Sequence, residues 1–209
     1  MQYFITATGT NIGKTFILEN ACQKLIGGNK KIVAIKPIIS GFRDDDLESD
    51  SAKILKVFGK DINKQNLDSI SPYRFSAPLS PNVAANLENK NIDFLELIKF
   101  CQNKMMLARE SNSYLLIEGA GGVMTPITND KTFANLIAEL NIPAILVVGN
   151  YLGTISHTLT AIVAMQSYKI NIAEVVLNCL GDDKIDAIDT LKTLQNLINI
   201  PIVTQLSCL

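Results

Sequence analysis

Short runs of β-branched and aliphatic residues recur along the chain, each leading into a stretch where apolar positions return every three or four residues. "QYFITA" (2–7), "KIVAIKP" (31–37), "YLLIEG" (114–119), "AILVVG" (144–149) and "AEVVLNCL" (173–180) read as strands, with "PIVTQL" (201–206) a candidate sixth. Neighbouring residues of a strand face opposite sides, so runs that are apolar throughout predict strands covered on both faces. Helical patterns fill the gaps at about 13–27, 50–59, 93–109, 131–140, 155–168 and 183–198. This alternation predicts an α/β fold of right-handed crossovers: a doubly wound, mostly parallel sheet with helices on both faces. Ligands of such sheets sit beyond the C-terminal strand ends, so the chemistry is expected just after each strand.

The stretch 42–92 interrupts the alternation. It opens on "RDDDLESD" and carries "SPYRFSAPLSPN" (71–82), with three prolines in twelve residues. It reads as an excursion over the ligand edge of the sheet, able to act as a lid, within a single domain spanning 1–209 and free of internal repeats.

Composition narrows the classes. The 209 residues are 47% hydrophobic and 19% charged, enough to bury a full core. A net charge of −1 with scattered lysines gives no basic face for nucleic acid. The longest apolar run, "IPAILVVG" (142–149), is too short to cross a bilayer. With no signal peptide ahead of the first strand, a cytoplasmic location is expected. Cys22, Cys101, Cys179 and Cys208 lack paired metal spacing, and His157 is the only histidine. Reduced thiols are therefore expected, and neither a zinc site nor a histidine-based triad is.

Motifs do follow the strands. "TATGTNIGKT" (6–15) ends like a phosphate-binding loop, but Thr8 stands where the usual spacing wants a leading glycine, and Ala7 one residue earlier. Amides of residues 9–15, including Asn11, Ile12, Gly13 and Lys14, would wrap a phosphate at the N-terminus of a helix. Lys14 would reach the outer phosphates and the Thr15 hydroxyl would ligate Mg²⁺. An alanine at position 7 costs little if its backbone stays extended, with Gly9 and Gly13 giving freedom where the chain turns.

The second strand leads into "AIKPIISG", where Lys36 suits a second anion, although a snorkelling lysine fits there too. After the third comes "LLIEGAGGVMTP". Glu118 fits either a Mg²⁺ ligand or a structural ion pair, and the small residues behind it are hard to explain by packing alone. Asp44, Asp45 and Asp46 read as a solvated loop, whereas Asp50 fits either a metal ligand or a helix N-cap. "NYLGTIS" after the fourth strand opens another helix near Thr154. Asn178 after the fifth suits either an adenine edge or a satisfied buried amide.

Taken in order, "TATGTNIGKT", "AIKPIISG", "SPYRFSAPLSP", "IEGAGGVMTPI", "ILVVGNYLGTISH" and "VLNCLG" resemble dethiobiotin synthetase over nearly the whole chain. That family's loop is one residue longer than an ordinary phosphate loop, so Ala7 takes its first glycine position and Gly9 the position of its aspartate. The resemblance implies that ATP, CO₂ and 7,8-diaminononanoate are joined into a cyclic urea. It implies Lys14, Thr15, Asp50 and Glu118 on the phosphates and Mg²⁺, and Thr10, Lys36 and Ser40 on the carbamate and γ-phosphate. It also implies Asn178 on the base and Gly119, Ala120, Gly121 and Gly122 along the diamine. Gly153 and Ser156 fall among the implied substrate positions, Ser156 where an asparagine is common. "TQLS" stands for the family's "GEIP" near the base, which implies a looser pocket.

The family is a homodimer with the substrate tail crossing the interface. The wide apolar surface of 155–168 (Ile155, Leu159, Ile162, Val163, Met165) fits burial on two sides. A partition-type switch ATPase is one alternative, but it typically carries an extra early lysine that residues 6–12 lack. A glutamine-dependent sister ligase needs a further domain, and an inactive phosphate-binding scaffold is the third alternative.

Overall fold

A computed structural model describes residues 1–43, 45–179 and 185–204. Its main sheet has six strands: β1 (Gln2–Ala7), β2 (Ile32–Ile35), β5 (Tyr114–Glu118), β6 (Ala144–Gly149), β7 (Ile172–Asn178) and β8 (Ile202–Val203). Their order is β2-β5-β1-β6-β7-β8, and every pairing is parallel. All six residues of β6 are buried, so helices cover the sheet on both faces, as continuous apolar runs require. Phe4, Ile5, Leu116, Ile117, Leu146 and Val147 form the middle of the core.

The helices are α1 (Lys14–Gly27), α2 (Asp50–Val57), α3 (Lys64–Ile70), α4 (Pro81–Leu87), α5 (Phe94–Glu110), α6 (Phe133–Leu140), α7 (Thr154–Ser167) and α8 (Ala187–Leu197). Helix α1 buries Leu18, Cys22 and Leu25, one apolar stripe at helical spacing. Helix α5 starts where the Asp93 carboxylate accepts from the Leu95 and Glu96 amides. Helix α6 ends on Asn141 at φ 48°, a left-handed residue that closes the last turn.

Pattern and structure part company in two places. The run 31–37 is not one strand: β2 stops at Ile35, and a separate strand β3 (Ile38–Ser40) pairs with β4 (Tyr73–Phe75) in a second, two-stranded parallel sheet. Pro37 has no amide to give the ladder, so the chain leaves the main sheet there. The excursion is also more regular than its prolines suggest, for it holds α2, α3, β4 and α4. Helices α3 and α4 are seven residues each, too short for apolar periodicity to show. Their ends are marked in the sequence all the same, by Asn63 capping α3 and by Pro81 in the first turn of α4. The expected end of the fifth strand at 180, the start of the last helix at 183–184, residues 205–207 of "TQLS", and Asp44 and Cys208 lie outside the described residues.

Candidate functional site

Because the strands are parallel, their C-terminal ends lie along one edge, and the predicted residues gather there. Ala7 is the last residue of β1, pairs with Val147 of β6, and accepts from the Val123 amide at 3.0 Å. Its backbone is extended, so the missing leading glycine leaves no strain. The turning is done by Asn11 at φ 58° and Gly13 at φ 94°. Gly9 was expected to share this role and does not: its φ is not positive, and a Cβ there would meet only Ile12 Cγ1 at 3.9 Å. Gly13 precedes α1 without a side-chain cap, so the first amides of α1 remain available to an anion.

Lys14 is buried beneath this loop and donates from Nζ to the Gly9 carbonyl at 3.1 Å. Burial, then the nearby Lys36 ammonium, push its pKa down to about 8. Thr15 Oγ1 donates to Glu118 Oε1 at 2.7 Å. Lys36, 3% exposed at the end of β2, donates to the same Glu118 oxygen at 2.6 Å and to Asp50 Oδ2 at 2.5 Å. Burial disfavours its ammonium, but Glu118 and Asp50 outweigh that and hold its pKa above the ordinary lysine value. For Asp50 burial acts upward, but Lys36 and a hydrogen bond from Thr15 win, and its carboxyl sits below the usual range. The second oxygen of Glu118, Oε2, is buried with no hydrogen-bond partner.

The structure settles one open reading. Ser49 is the N-cap of α2, accepting from the Ala52 amide at 3.3 Å, which leaves the Asp50 carboxylate for the cluster. Asp45 is solvated, with its side chain 87% exposed.

Packing does account for the glycines after Glu118, against expectation. A Cβ on Gly119 would stand 3.0 Å from Phe4 Cε1, and one on Gly122 would stand 3.1 Å from the Thr8 carbonyl oxygen. Gly121 adopts φ 66°, and its Cβ would fall 2.4 Å from Thr125 Oγ1. That hydroxyl accepts from the Gly122 amide at 2.9 Å, a brace that no motif in the sequence announced. The run shapes the loop from within, with Gly119 buried and Ala120, Gly121 and Gly122 half-buried.

Thr10 and Asn11 are exposed at the tip of the phosphate loop. Ser40 ends β3 with its hydroxyl buried and unpartnered, and so is that of Thr8, which the sequence analysis passed over. Asn178, buried at the end of β7, donates from Nδ2 to the Ile12 carbonyl at 2.9 Å. Gly153, at φ 96°, and the exposed Ser156 lie beyond the end of β6, at the start of α7.

A cavity of about 920 Å³ lies elsewhere, between Phe42, Tyr73, Arg74 and Lys90. It holds none of the residues that end the main-sheet strands. Its Arg74 and Lys90 are paired with Asp68 and Glu88, both at 2.6 Å. The residues expected from the sequence thus gather at the strand ends and not in this cavity.

A loop at a strand-to-helix junction of a parallel sheet, with a buried lysine, a first-turn threonine and a carboxylate on the neighbouring strand, defines a P-loop nucleotide-binding protein. A family model described as an AAA domain matches residues 1–208. The ATP-dependent dethiobiotin synthetase BioD of Phenylobacterium zucineum (strain HLK1) is 39% identical over 182 residues, 87% of this chain and 77% of that protein. The enzyme of the same name from Legionella pneumophila (strain Paris) is 32% identical over 98% of this chain and 92% of its own length. Among solved structures, a ParA family ATPase from Chlorobium tepidum superposes with a TM-score of 0.56 at 15% identity, covering 99% of this chain and 85% of that one. At that identity the likeness concerns the fold. The chain belongs to the ATP-dependent dethiobiotin synthetase family.

Proposed function

We propose that this chain closes the ureido ring of dethiobiotin from 7,8-diaminononanoate, CO₂ and ATP, releasing ADP and phosphate. Family membership supports the activity. The observation that carries the mechanism is the cluster of buried Lys36 and Glu118 with half-buried Asp50 and Thr15, beside Lys14.

A substrate amine must be neutral to attack CO₂, and two nearby ammonium groups disfavour its protonation. The product is a carbamate, and its attack on the γ-phosphorus brings two anions together. Lys14 and Lys36 offset that repulsion, while Thr10 and Ser40 orient the carbamate and γ-phosphate. Ser40 suits this role because its buried hydroxyl has no protein partner. The resulting carbamic–phosphoric anhydride is attacked at its carbonyl by the second amine, phosphate leaves, and the ring closes. Positioning and fixed charge supply the catalysis, with no side chain required as a base.

The donor set fits Mg²⁺, which takes oxygen ligands and keeps several places for water and phosphate. Thr15, Asp50 and Glu118 would hold it, with the unpartnered Oε2 of Glu118 the readiest donor. Among the described residues no three His, Cys, Asp or Glu side chains gather to form a fuller cage. When bound, it would neutralise charge on the phosphates. The amides of Asn11, Ile12, Gly13 and Lys14 would hold the triphosphate. Asn178 would serve the base and, through Ile12, the loop. Gly119 to Gly122, Gly153 and Ser156 would border the diamine, the glycines as backbone.

A homodimer belongs to the proposal. Leu152 and Val163, 90% and 64% exposed at the start and on the outer side of α7, support it as apolar surface left open in one chain. A cytoplasmic enzyme with no nucleic-acid partner is also proposed. No helix among the described residues is long and apolar enough to cross a membrane. The test mixes protein, MgATP, 7,8-diaminononanoate and labelled bicarbonate, then counts acid-stable label beside ADP. Label fixed in step with ADP is expected, because acid strips CO₂ from a carbamate and not from a cyclic urea. ADP without fixed label would sink the proposal.

A further inference from the structure

Lys36 and the divalent cation are both assigned to the same two carboxylates, and one ammonium already fills the space between them. Nζ lies 2.5 Å from Asp50 Oδ2 and 2.6 Å from Glu118 Oε1, both hydrogen-bonding distances to charged oxygens. The contact is enclosed on the Glu118 side, where the Lys36 side chain is 4% exposed and that of Glu118 0%, and opens to solvent at Asp50, 38% exposed. Glu118 Oε1 is further occupied by the Thr15 hydroxyl, at 2.7 Å. A cation bridging the two oxygens that Lys36 holds, Asp50 Oδ2 and Glu118 Oε1, must enter where Nζ stands. A doubly charged ion and an ammonium cannot share so small a space, because their repulsion at contact distance is large. The Glu118 oxygen left without a partner marks the side from which exchange can begin.

We propose that Lys36 and the divalent cation occupy the Asp50–Glu118 pair in turn. In the nucleotide-free protein Lys36 is the counter-ion that bridges the two carboxylates and keeps the metal site closed. The metal arrives with the nucleotide, whose phosphates supply its remaining ligands, and displaces the ammonium from the carboxylates. Lys36 is thereby freed for an anion only once metal and triphosphate are both present. A lysine stem has four methylenes and no fixed fork, so its head can move while β2 and Pro37 stay in place. The device couples metal entry to charge delivery, and it would keep the lysine from drawing in an anion before ATP is bound.

This inference rests on the metal ligands proposed above, and the experiment separates the two. The probe is Mn²⁺, an oxygen-seeking divalent ion whose free form is counted by electron paramagnetic resonance. Full-length protein is titrated without nucleotide, as wild type, Lys36→Met, Lys36→Gln and Lys14→Gln. Lys36→Gln keeps donors between the carboxylates should Lys36→Met fail to fold. Both Lys36 variants are expected to bind Mn²⁺ ~10-fold or more tightly than wild type, since the competing charge has gone. Lys14→Gln should gain less than about threefold, because Lys14 contacts the Gly9 carbonyl and not the carboxylates. A Mn²⁺-dependent rise in Tm should accompany binding in the Lys36 variants. Equal gains at both lysines would reduce the effect to bulk charge and overturn the exchange, as would no gain at Lys36. A parallel titration with ATP tests the ligands themselves. If Asp50→Asn leaves Mn²⁺·ATP binding unchanged, the ligand assignment falls and the exchange with it. If Asp50→Asn weakens that binding while the Lys36 variants gain nothing, only the exchange falls.

Discussion

The side-chain amide of Asn178 donates to the carbonyl of Ile12 at 2.9 Å, so the end of β7 holds the phosphate loop across 166 residues of sequence. Ile12 sits between Asn11 and Gly13, the two left-handed residues that shape the loop. Asn178→Ala frees that carbonyl and loosens the turn. Inorganic triphosphate, which has no base, should bind the variant about 5–10-fold more weakly, the worth of one buried hydrogen bond. Any further loss for ATP measures the contact of Asn178 with adenine. Calorimetry with both ligands separates the two, and unchanged triphosphate affinity would remove the brace.

A second prediction concerns pH. Lys14 has its pKa lowered to about 8 in the free protein, by burial first and Lys36 second. Triphosphate bound against it stabilises the ammonium and raises that value. ATP affinity should therefore be flat below pH 8 and fall by up to about tenfold per pH unit above it, with proton uptake on binding. Isothermal titration from pH 7 to 9.5, in buffers of different ionisation enthalpy, reads both effects. Lys14→Arg, charged throughout, should flatten the profile. The stability term has its own sign. Between about 8 and the ordinary lysine value of 10.5 the unfolded chain binds more protons at this group than the folded one, so its contribution to stability rises with pH in that window.

The two lysines should also separate in kinetics. Lys14 lies under the loop, whereas Lys36 lies on the carboxylates. Lys14→Ala should abolish turnover and weaken ATP binding. Lys36→Ala should lose turnover by ~100-fold or more while retaining appreciable ATP affinity, because charge is withdrawn from the reacting anions and not from the bound nucleotide. Label-fixation rates together with ATP titrations test this. Full activity in either variant would refute the role given to that lysine.

Most of the fold was legible because the chain's strands are buried on both faces and its long helices have several turns in which to show a stripe. β6 and α1 are examples. The β3–β4 pair was not legible, since three-residue strands carry almost no pattern and their partnership spans the excursion. The site was legible through strand ends: Lys14, Thr15, Lys36 and Glu118 all follow or end strands of the main sheet, and the structure joins the last three by hydrogen bonds. The contact of Lys36 with Asp50 was hidden, because sequence gives residue types at helix starts but not which carboxylate faces inward. Gly121 carries a similar ambiguity, since its φ of 66° gives it a structural reason beside the one the resemblance implies. A glycine needed for positive φ looks the same in sequence as one needed to clear a substrate.

That last ambiguity gives a pair of substitutions with opposite expectations from what a motif suggests. Ala7→Gly supplies the leading glycine that the resemblance implies at this position. Ala7 is extended, fully buried and paired with Val147, so glycine here adds chain entropy to the unfolded state and removes a packed methyl. The variant should lose about 1 kcal/mol of stability and gain no ATP affinity. Gly121→Ala places a methyl on a backbone at φ 66° and 2.4 Å from Thr125 Oγ1. It should lose about 2 kcal/mol or more, because strain, overlap and a disturbed Gly122–Thr125 hydrogen bond act together. Urea unfolding of both variants gives the stabilities, and ATP titration gives the affinities. Tighter ATP binding by Ala7→Gly would mean that the end of β1 must bend to receive the triphosphate. A stable Gly121→Ala with a raised KM for the diamine would mean that the missing side chain serves the substrate and not the turn.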